Sequence, residues 1–421
     1  MYQLYIQTKR DNNMNIQFAV NLEDLRLLAR RKLPKIAFEF IDGGADDEHC
    51  MRRNRDAFTR HCLVPRYLRD VSQVDQSVQL FGHRYASPIG ISPTGLAGLW
   101  RPGADLMQAL AAKAANVPFM LSSSANSSIE EAMELAPENV WFQMYCTRDE
   151  RINNDMVQRA IRTKVRVLVV TVDVPVNSNR ERNKRNGFAR PFRMTPAVAF
   201  EALGHPLWVL RYLRTGGVPM MKNWQPYAPA GANAEAVADL FGTLTPAPLV
   251  SWDNIVRIRR AWHGPLAIKG IMHPDDARKA VELGADGLVV SNHGGRQLDA
   301  APSPVEMLPL IREAVGDDCT LILDSGVRRG SDVVIARCLG ADSAIFGRPS
   351  LFGVAAAGQA GVSKALQIMK NEIDMVLKQM GCTSFASLNP GNLFSPDSPF
   401  QPSRFPSTGE KRVDPVRFDQ V

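Results

Sequence analysis

From residue 88 to about residue 350 the chain alternates short apolar runs with amphipathic segments, and this alternation limits the folds open to it. Eight runs read as buried strands: Pro88–Ser92, Phe119–Ser123, Val140–Tyr145, Val167–Asp173, Leu266–Ile271, Gly287–Asn292, Thr320–Gly326 and Ser343–Gly347. Helical patterns such as Asp105–Ala115, Ser128–Leu135, Asp275–Leu283 and Ser331–Leu339 separate them. Near-continuous apolar strands belong to parallel sheets covered on both faces. Eight βα repeats predict an α/β protein, a TIM (β/α)8 barrel rather than a doubly wound sheet. Leu22–Arg31 and Pro34–Ile41 predict short helices before the barrel, the second ending at Gly43-Gly44. Val354–Met380 predicts a long helical stretch after it.

Two regions break the pattern. Residues 174–250 form a long insertion after strand 4, and the tail 385–421 is rich in Pro, Ser and Asn. The expected organisation is a loose segment 1–21, one domain over 22–384, and a loose tail. Met14 is a second candidate start. The N-terminus lacks the basic region and apolar run of a secretory signal. No apolar run reaches the roughly 18 residues of a membrane span. The six cysteines form no CxxC pair, which argues against a zinc site or a disulfide framework and for a reducing, cytoplasmic setting. No metal is expected.

The formal net charge is +7, and it is unevenly placed. Between Arg180 and Lys222 nine basic residues face two acids, which equals the excess of the whole chain. Nucleic acid and an anionic membrane surface are both partners for such a segment.

Active residues of a TIM barrel sit at the C-terminal ends of its strands. Here those ends carry polar groups: Thr94 and Gly95, Ser122, Gln143 and Tyr145, Thr171 and Asp173, Lys269, Ser291 and His293, Asp324, then Gly347 and Arg348. Lysine is rarely buried without a partner, so Lys269 is informative unless it only snorkels to water. Asp173 alone could equally cap a turn. His293 can move protons near neutral pH, and Arg296 can hold a carboxylate with two parallel hydrogen bonds. The glycines between them let backbone pass close to a bound ring. Loops after strands 7 and 8 commonly bind phosphate, and Asp324-Ser325-Gly326-Val327-Arg328 and Gly347-Arg348 occupy those places. Arg348 is expected to add a bidentate charge to it.

The segment Ser291-Asn292-His293-Gly294-Gly295-Arg296-Gln297-Leu298-Asp299 resembles the signature of the FMN-dependent 2-hydroxy-acid dehydrogenases and oxidases. Further matches are Leu33-Pro34-Lys35, Gly44-Ala45-Asp46-Asp47-Glu48, Pro93-Thr94-Gly95, Thr171-Val172-Asp173 and Val327-Arg328-Arg329-Gly330. The resemblance spans about residues 22–385. Trp141-Phe142-Gln143-Met144-Tyr145 and Val176-Asn177 leading to Arg180-Glu181-Arg182 are similar to the branch of membrane-associated mandelate and L-lactate dehydrogenases.

The resemblance implies FMN as cofactor. From the first five strands Thr94, Gly95, Ser122, Gln143, Thr171 and Lys269 would hold it. From the last three, Ser291, Asp324, Ser325, Gly326, Arg328, Gly347 and Arg348 would do so. It implies oxidation of an L-2-hydroxy acid to the 2-keto acid, with His293 as base and Asp173 orienting it. Arg296 and Arg180 would clamp the carboxylate, and Tyr145 would bond near the reacting carbon's oxygen. Lys269 would stabilise negative charge on the flavin.

One position departs from the family pattern. Phe40 stands where many members carry a tyrosine that helps bind the carboxylate. Either two arginines suffice, or the acid differs. Ser124 stands where short-chain glycolate oxidases have tryptophan, which leaves room for a mandelate-like or medium aliphatic acid. The segment Phe188–Lys222 mixes arginines with Trp208, Leu207, Leu210 and Leu213, which suits either a helix lying in the bilayer interface or a lid on the site. Related dehydrogenases use an insertion here to touch the membrane and reduce quinone. The expectation is a peripheral enzyme on the inner face of the cell membrane, homotetrameric like its relatives. The rivals are a soluble oxidase forming hydrogen peroxide and a degenerate flavin-binding protein. A nucleic-acid role would explain only the basic insertion, so nucleic acid is not among the expected partners.

Overall fold

Eight parallel strands pair side by side and close on themselves in the computed structural model, forming a TIM barrel. They are β1 (Ile89–Ile91), β2 (Phe119–Ser122), β3 (Val140–Tyr145), β4 (Leu168–Thr171), β5 (Leu266–Ile271), β6 (Gly287–Val290), β7 (Thr320–Leu323) and β8 (Ser343–Phe346). All fall within the segments expected. The structure describes residues 15–187, 196–245 and 247–394, without the side chains of 197–199. Met14, the stretch 188–195 of the basic insertion and the tail from 395 lie outside the described residues.

The period of two along a strand explains how the barrel is filled. The lower inward positions are Met120, Trp141, Val169, Ala267, Val289, Ile322 and Ile345, which form one buried apolar cluster. The antiparallel hairpin Val78–Leu80/His83–Tyr85 plugs the barrel floor with Leu80 and Tyr85. Trp141 Nε1 donates to Tyr85 Oη at 3.0 Å, satisfying the one polar group of that layer's tryptophan. Two residues further along, the inward position turns polar on six of these strands: Ser122, Gln143, Thr171, Lys269, Ser291 and Asp324. Register then lines these up. Ser122 faces Gln143 across β2 and β3, and Tyr145, Thr171 and Lys269 stand in one row across β3, β4 and β5.

Outside the barrel, Leu22–Lys32 and Lys35–Asp42 are the two expected N-terminal helices, and Gly43 caps the second. The stretch expected as one helix over Val354–Met380 is instead two, Arg348–Ala357 and Gln359–Gln379. Gly358, at φ +64°, breaks it, because a left-handed residue cannot continue a helix. The tail is not loose from its start. Phe385 is buried, and Leu393–Phe394 pairs with Cys62–Leu63. The described part of the insertion folds into helices Glu181–Arg185, Pro196–Leu203, Pro206–Arg214 and Ala234–Leu244. No described helix is long and apolar enough to cross a membrane.

Candidate active site

The strand ends open into one cavity of about 640 Å³, lined by Thr94, Tyr145, Arg180, Lys269, His293 and Arg296 among others. Gly95, Ser124, Thr171, Asp324, Ser325, Gly326, Arg328, Gly347 and Arg348 also reach it. Ser122, Gln143, Asp173 and Ser291 do not line it. Asp173 and Ser291 hold His293 and Lys269, which do line it.

His293 Nδ1 lies 2.9 Å from Asp173 Oδ1. Burial alone would raise the Asp173 pKa, but His293 and Lys269 outweigh it and hold the carboxyl below its usual range. The carboxylate is thus an acceptor, so Nδ1 carries the proton and Nε2 keeps its lone pair. Burial lowers the His293 pKa below its usual value, against the pull of Asp173, so the ring is neutral at pH 7. The main chain at His293 is left-handed (φ +59°), and its amide is held by Ser291 Oγ at 3.0 Å.

Lys269 is buried but not unpartnered. Its Nζ bonds Ser291 Oγ at 2.9 Å and Asp324 Oδ2 at 3.2 Å. Burial would lower its pKa, yet Asp324 and Asp173 leave it raised, so the ammonium persists. Asp324 accepts from Ser291 at 2.6 Å and from Ser92 at 2.7 Å. The snorkelling alternative is removed by this network.

Arg296 donates through Nη1 to the carbonyls of Phe40 (2.7 Å) and Gly43 (3.0 Å). Its pKa is driven well down by burial and then by Arg180 and Arg348. Two half-buried arginines facing one cavity repel each other until an anion arrives between them. The turn Gly43–Glu48 holds this clamp. Ala45 N donates to Gly295 O at 2.9 Å, Asp46 N donates to Asn179 O at 2.8 Å, and Arg182 pairs with both Asp42 and Glu48. The chain before Arg180 and the loop carrying Arg296 are thus tied to one element.

Two expectations change. Gly295 sits at φ +71°, and a Cβ there would lie 2.6 Å from Met51 N. The space the glycine leaves is taken by this chain's own backbone. Arg348 does not project as a free phosphate arm. Its Nε, Nη1 and Nη2 donate to the carbonyls of Ile41, Gly294 and Gly43 at 3.0, 2.8 and 2.8 Å, clamping the N-terminal turn to the His293 loop. A guanidinium has five N–H groups, so it still has donors for an anion.

Several observations fit a phosphate-bearing ring cofactor. Thr94 Oγ1, Gln143 Nε2 and Thr171 Oγ1 are buried with no partner among the described residues. Each such group costs about 1–3 kcal/mol unless a ligand bonds it. On the same cavity wall, burial with Arg348 and Arg55 pushes Arg328 down to about 9. Cations gathered this way match a phosphate dianion.

Residues not legible as site residues form the apolar wall. Phe241 of helix Ala234–Leu244 packs edge-on to Tyr145, ring centroids 6.3 Å apart, and lines the cavity with Met221, Trp252 and Ile255. The spacing of Val237 and Phe241 marks a helix face; nothing in it marks the target. The insertion therefore divides its work. Its later half covers the site, while Phe200, Leu203, Leu207, Leu210 and Leu213 are exposed on the earlier helices. Tyr145 is pushed up to about 12 by burial and by Asp173, so its phenol stays protonated. Gly95 and Ser124 are in close approach: a Cβ on Gly95 would lie 2.2 Å from Ser124 Oγ.

The FMN-dependent dehydrogenase family model matches residues 29–395. The (S)-mandelate dehydrogenase of Pseudomonas putida is 38% identical over 373 residues, 89% of this chain and 93% of that protein. An L-lactate dehydrogenase of Caulobacter vibrioides is 39% identical over 368 residues, 87% of this chain and 95% of that one. The crystal structure of the monotopic membrane protein (S)-mandelate dehydrogenase superposes with a TM-score of 0.86, at 38% identity, covering 90% of this chain and all of that one. The chain belongs to the FMN-dependent dehydrogenase family, and FMN is its cofactor.

Proposed function

We propose that the protein oxidises an L-2-hydroxy acid, mandelate-like or lactate-like, to the 2-keto acid and passes the electrons to a membrane quinone. The observation that carries this reading is the Asp173–His293 pair, whose His293 faces the same cavity as Arg296 and Arg180. When bound, FMN supplies the two-electron acceptor. Thr94 and Thr171 on the cavity wall would meet its polar edge, with the unpartnered Gln143 amide next to them in the strand row, and Arg328 with Arg348 its phosphate.

Arg296 and Arg180 would take the substrate carboxylate and relieve their mutual repulsion. The Tyr145 phenol would donate to the substrate's oxygen. His293 Nε2 would accept a proton from the substrate, and Asp173 would stabilise the imidazolium so formed. Lys269 supplies a fixed positive charge on the cavity wall. Ser124 and the wall of Met221, Phe241 and Trp252 favour a bulky apolar side chain, as the name mandelate dehydrogenase states for the relative.

The exposed leucines of 203–213 and the monotopic relative support peripheral attachment to a membrane. The inner face of the cell membrane, the quinone and a homotetramer are parts of the same proposal, taken from the family resemblance. Comparing hydrogen peroxide formation with reduction of a quinone analogue tests the acceptor. Reduction of the analogue without peroxide is expected, and peroxide as the main product would make the enzyme an oxidase.

A further inference from the structure

A second opening lies away from the active site, a groove of about 470 Å³ between Arg101–Met107 and Ala357–Ser363. Three cations from separate elements converge beside it. Arg101 lies on its wall, where a Cβ built on Gly358 would be 3.1 Å from Arg101 Nε. Lys32 Nζ reaches over from the end of the first helix to the carbonyl of Ala356, next to the groove. Arg211 arrives on helix Pro206–Arg214, which is pinned here because Trp208 Nε1 donates to Leu99 O at 2.8 Å.

No carboxylate among the described residues pairs with any of the three. Burial first, then Arg101 and Arg211, lowers the Lys32 pKa, and burial with Arg211 lowers that of Arg101. The cations have been gathered at a cost, and an anion would offset it. The class of anion follows from the neighbour. Helix Pro206–Arg214 turns Trp208 inward and leaves Leu207, Leu210 and Leu213 outward, 67, 45 and 66% exposed. An apolar stripe flanked by cations is the chemistry of a lipid headgroup boundary.

We propose that this groove binds the phosphate of an anionic phospholipid, held by Arg101 with Lys32 and Arg211, while the adjacent leucines enter the acyl region. The inference rests on the peripheral-membrane reading and deepens it. It assigns lipid selectivity to Lys32 and Arg101, which lie outside the basic insertion.

The test is co-sedimentation of the full-length FMN-loaded protein with phosphatidylcholine vesicles, with and without phosphatidylglycerol. Phosphatidylglycerol should strengthen binding. Arg101→Gln should weaken binding to the anionic vesicles about fivefold, the worth of one surface charge. Arg101→Lys should keep most of it. Arg278→Gln, an equal charge change on the helix after β5, on the opposite side of the barrel, should leave it unchanged, and dye-coupled activity should be unaltered in all variants. Equal loss in the Arg101 and Arg278 variants would reduce the effect to general surface charge and overturn the site. Exchanging chloride for inorganic phosphate at matched ionic strength should leave binding intact. Abolition of the phosphatidylglycerol effect would assign the groove to free phosphate instead. Wild-type protein that binds neither vesicle would overturn the peripheral reading itself. Equal binding to both vesicles, unaffected by Arg101→Gln, would overturn only the groove.

Discussion

The guanidinium of Arg296 lies 5.0 Å from the ring centroid of Phe40 while donating to the carbonyl of the same residue. Phe40 also stacks on Trp100, centroids 5.8 Å apart. Phe40 thus supports the carboxylate clamp through its ring and main chain, although the family's tyrosine hydroxyl is missing. Phe40→Tyr keeps both contacts and adds a donor. A hydrogen bond to a charged group is worth about 1.5–3 kcal/mol, so the Michaelis constant of a 2-hydroxy acid should fall roughly tenfold or more. An unchanged value would mean that the substrate lies elsewhere in the pocket.

His293 must be neutral to accept a proton, and burial holds its pKa below the ordinary value near 6.5. Activity should therefore be level at pH 7 and fall as pH drops through that depressed value. Asp173 raises the His293 pKa, so Asp173→Asn should move the acid limb to still lower pH. The same change should cut kcat by about 10²–10⁴-fold, because the imidazolium loses its partner. A pH–rate profile checks both, and an acid limb that moves upward would contradict the assignment.

Phe241 is the insertion's contact with Tyr145, and Trp224 backs it at 5.0 Å between ring centroids. Phe241→Ala should raise the Michaelis constant for an aryl hydroxy acid about three- to tenfold, the worth of one aromatic pair. Lactate, too short to reach the wall, should be little affected. Equal effects on both acids would mean a general loosening of the lid rather than a lost contact.

The barrel was legible because eight short apolar runs alternate with amphipathic segments, as a parallel sheet covered by helices demands. The strand-end residues were legible from the barrel itself: Lys269 and Asp324 are polar groups at the C-terminal ends of apolar strands. Roles that depend on the third dimension were not. Whether Arg348 reaches a phosphate or a carbonyl depends on where Ile41 and Gly43 come to lie, more than three hundred residues earlier. Phe241 reads as an ordinary helix face, and only packing shows that it covers Tyr145. Gly358 reads as one tolerable glycine in a helix, and its positive φ appears only once the two flanking helices are placed.

Anaerobic reduction of the bound flavin, followed as bleaching of its visible absorbance, tests the central claim most directly. (S)-mandelate or L-lactate should bleach the wild-type protein, and His293→Gln should keep its flavin but fail to bleach. Rapid bleaching of the His293→Gln protein, or a flavin in the wild type that no 2-hydroxy acid reduces, would contradict the account.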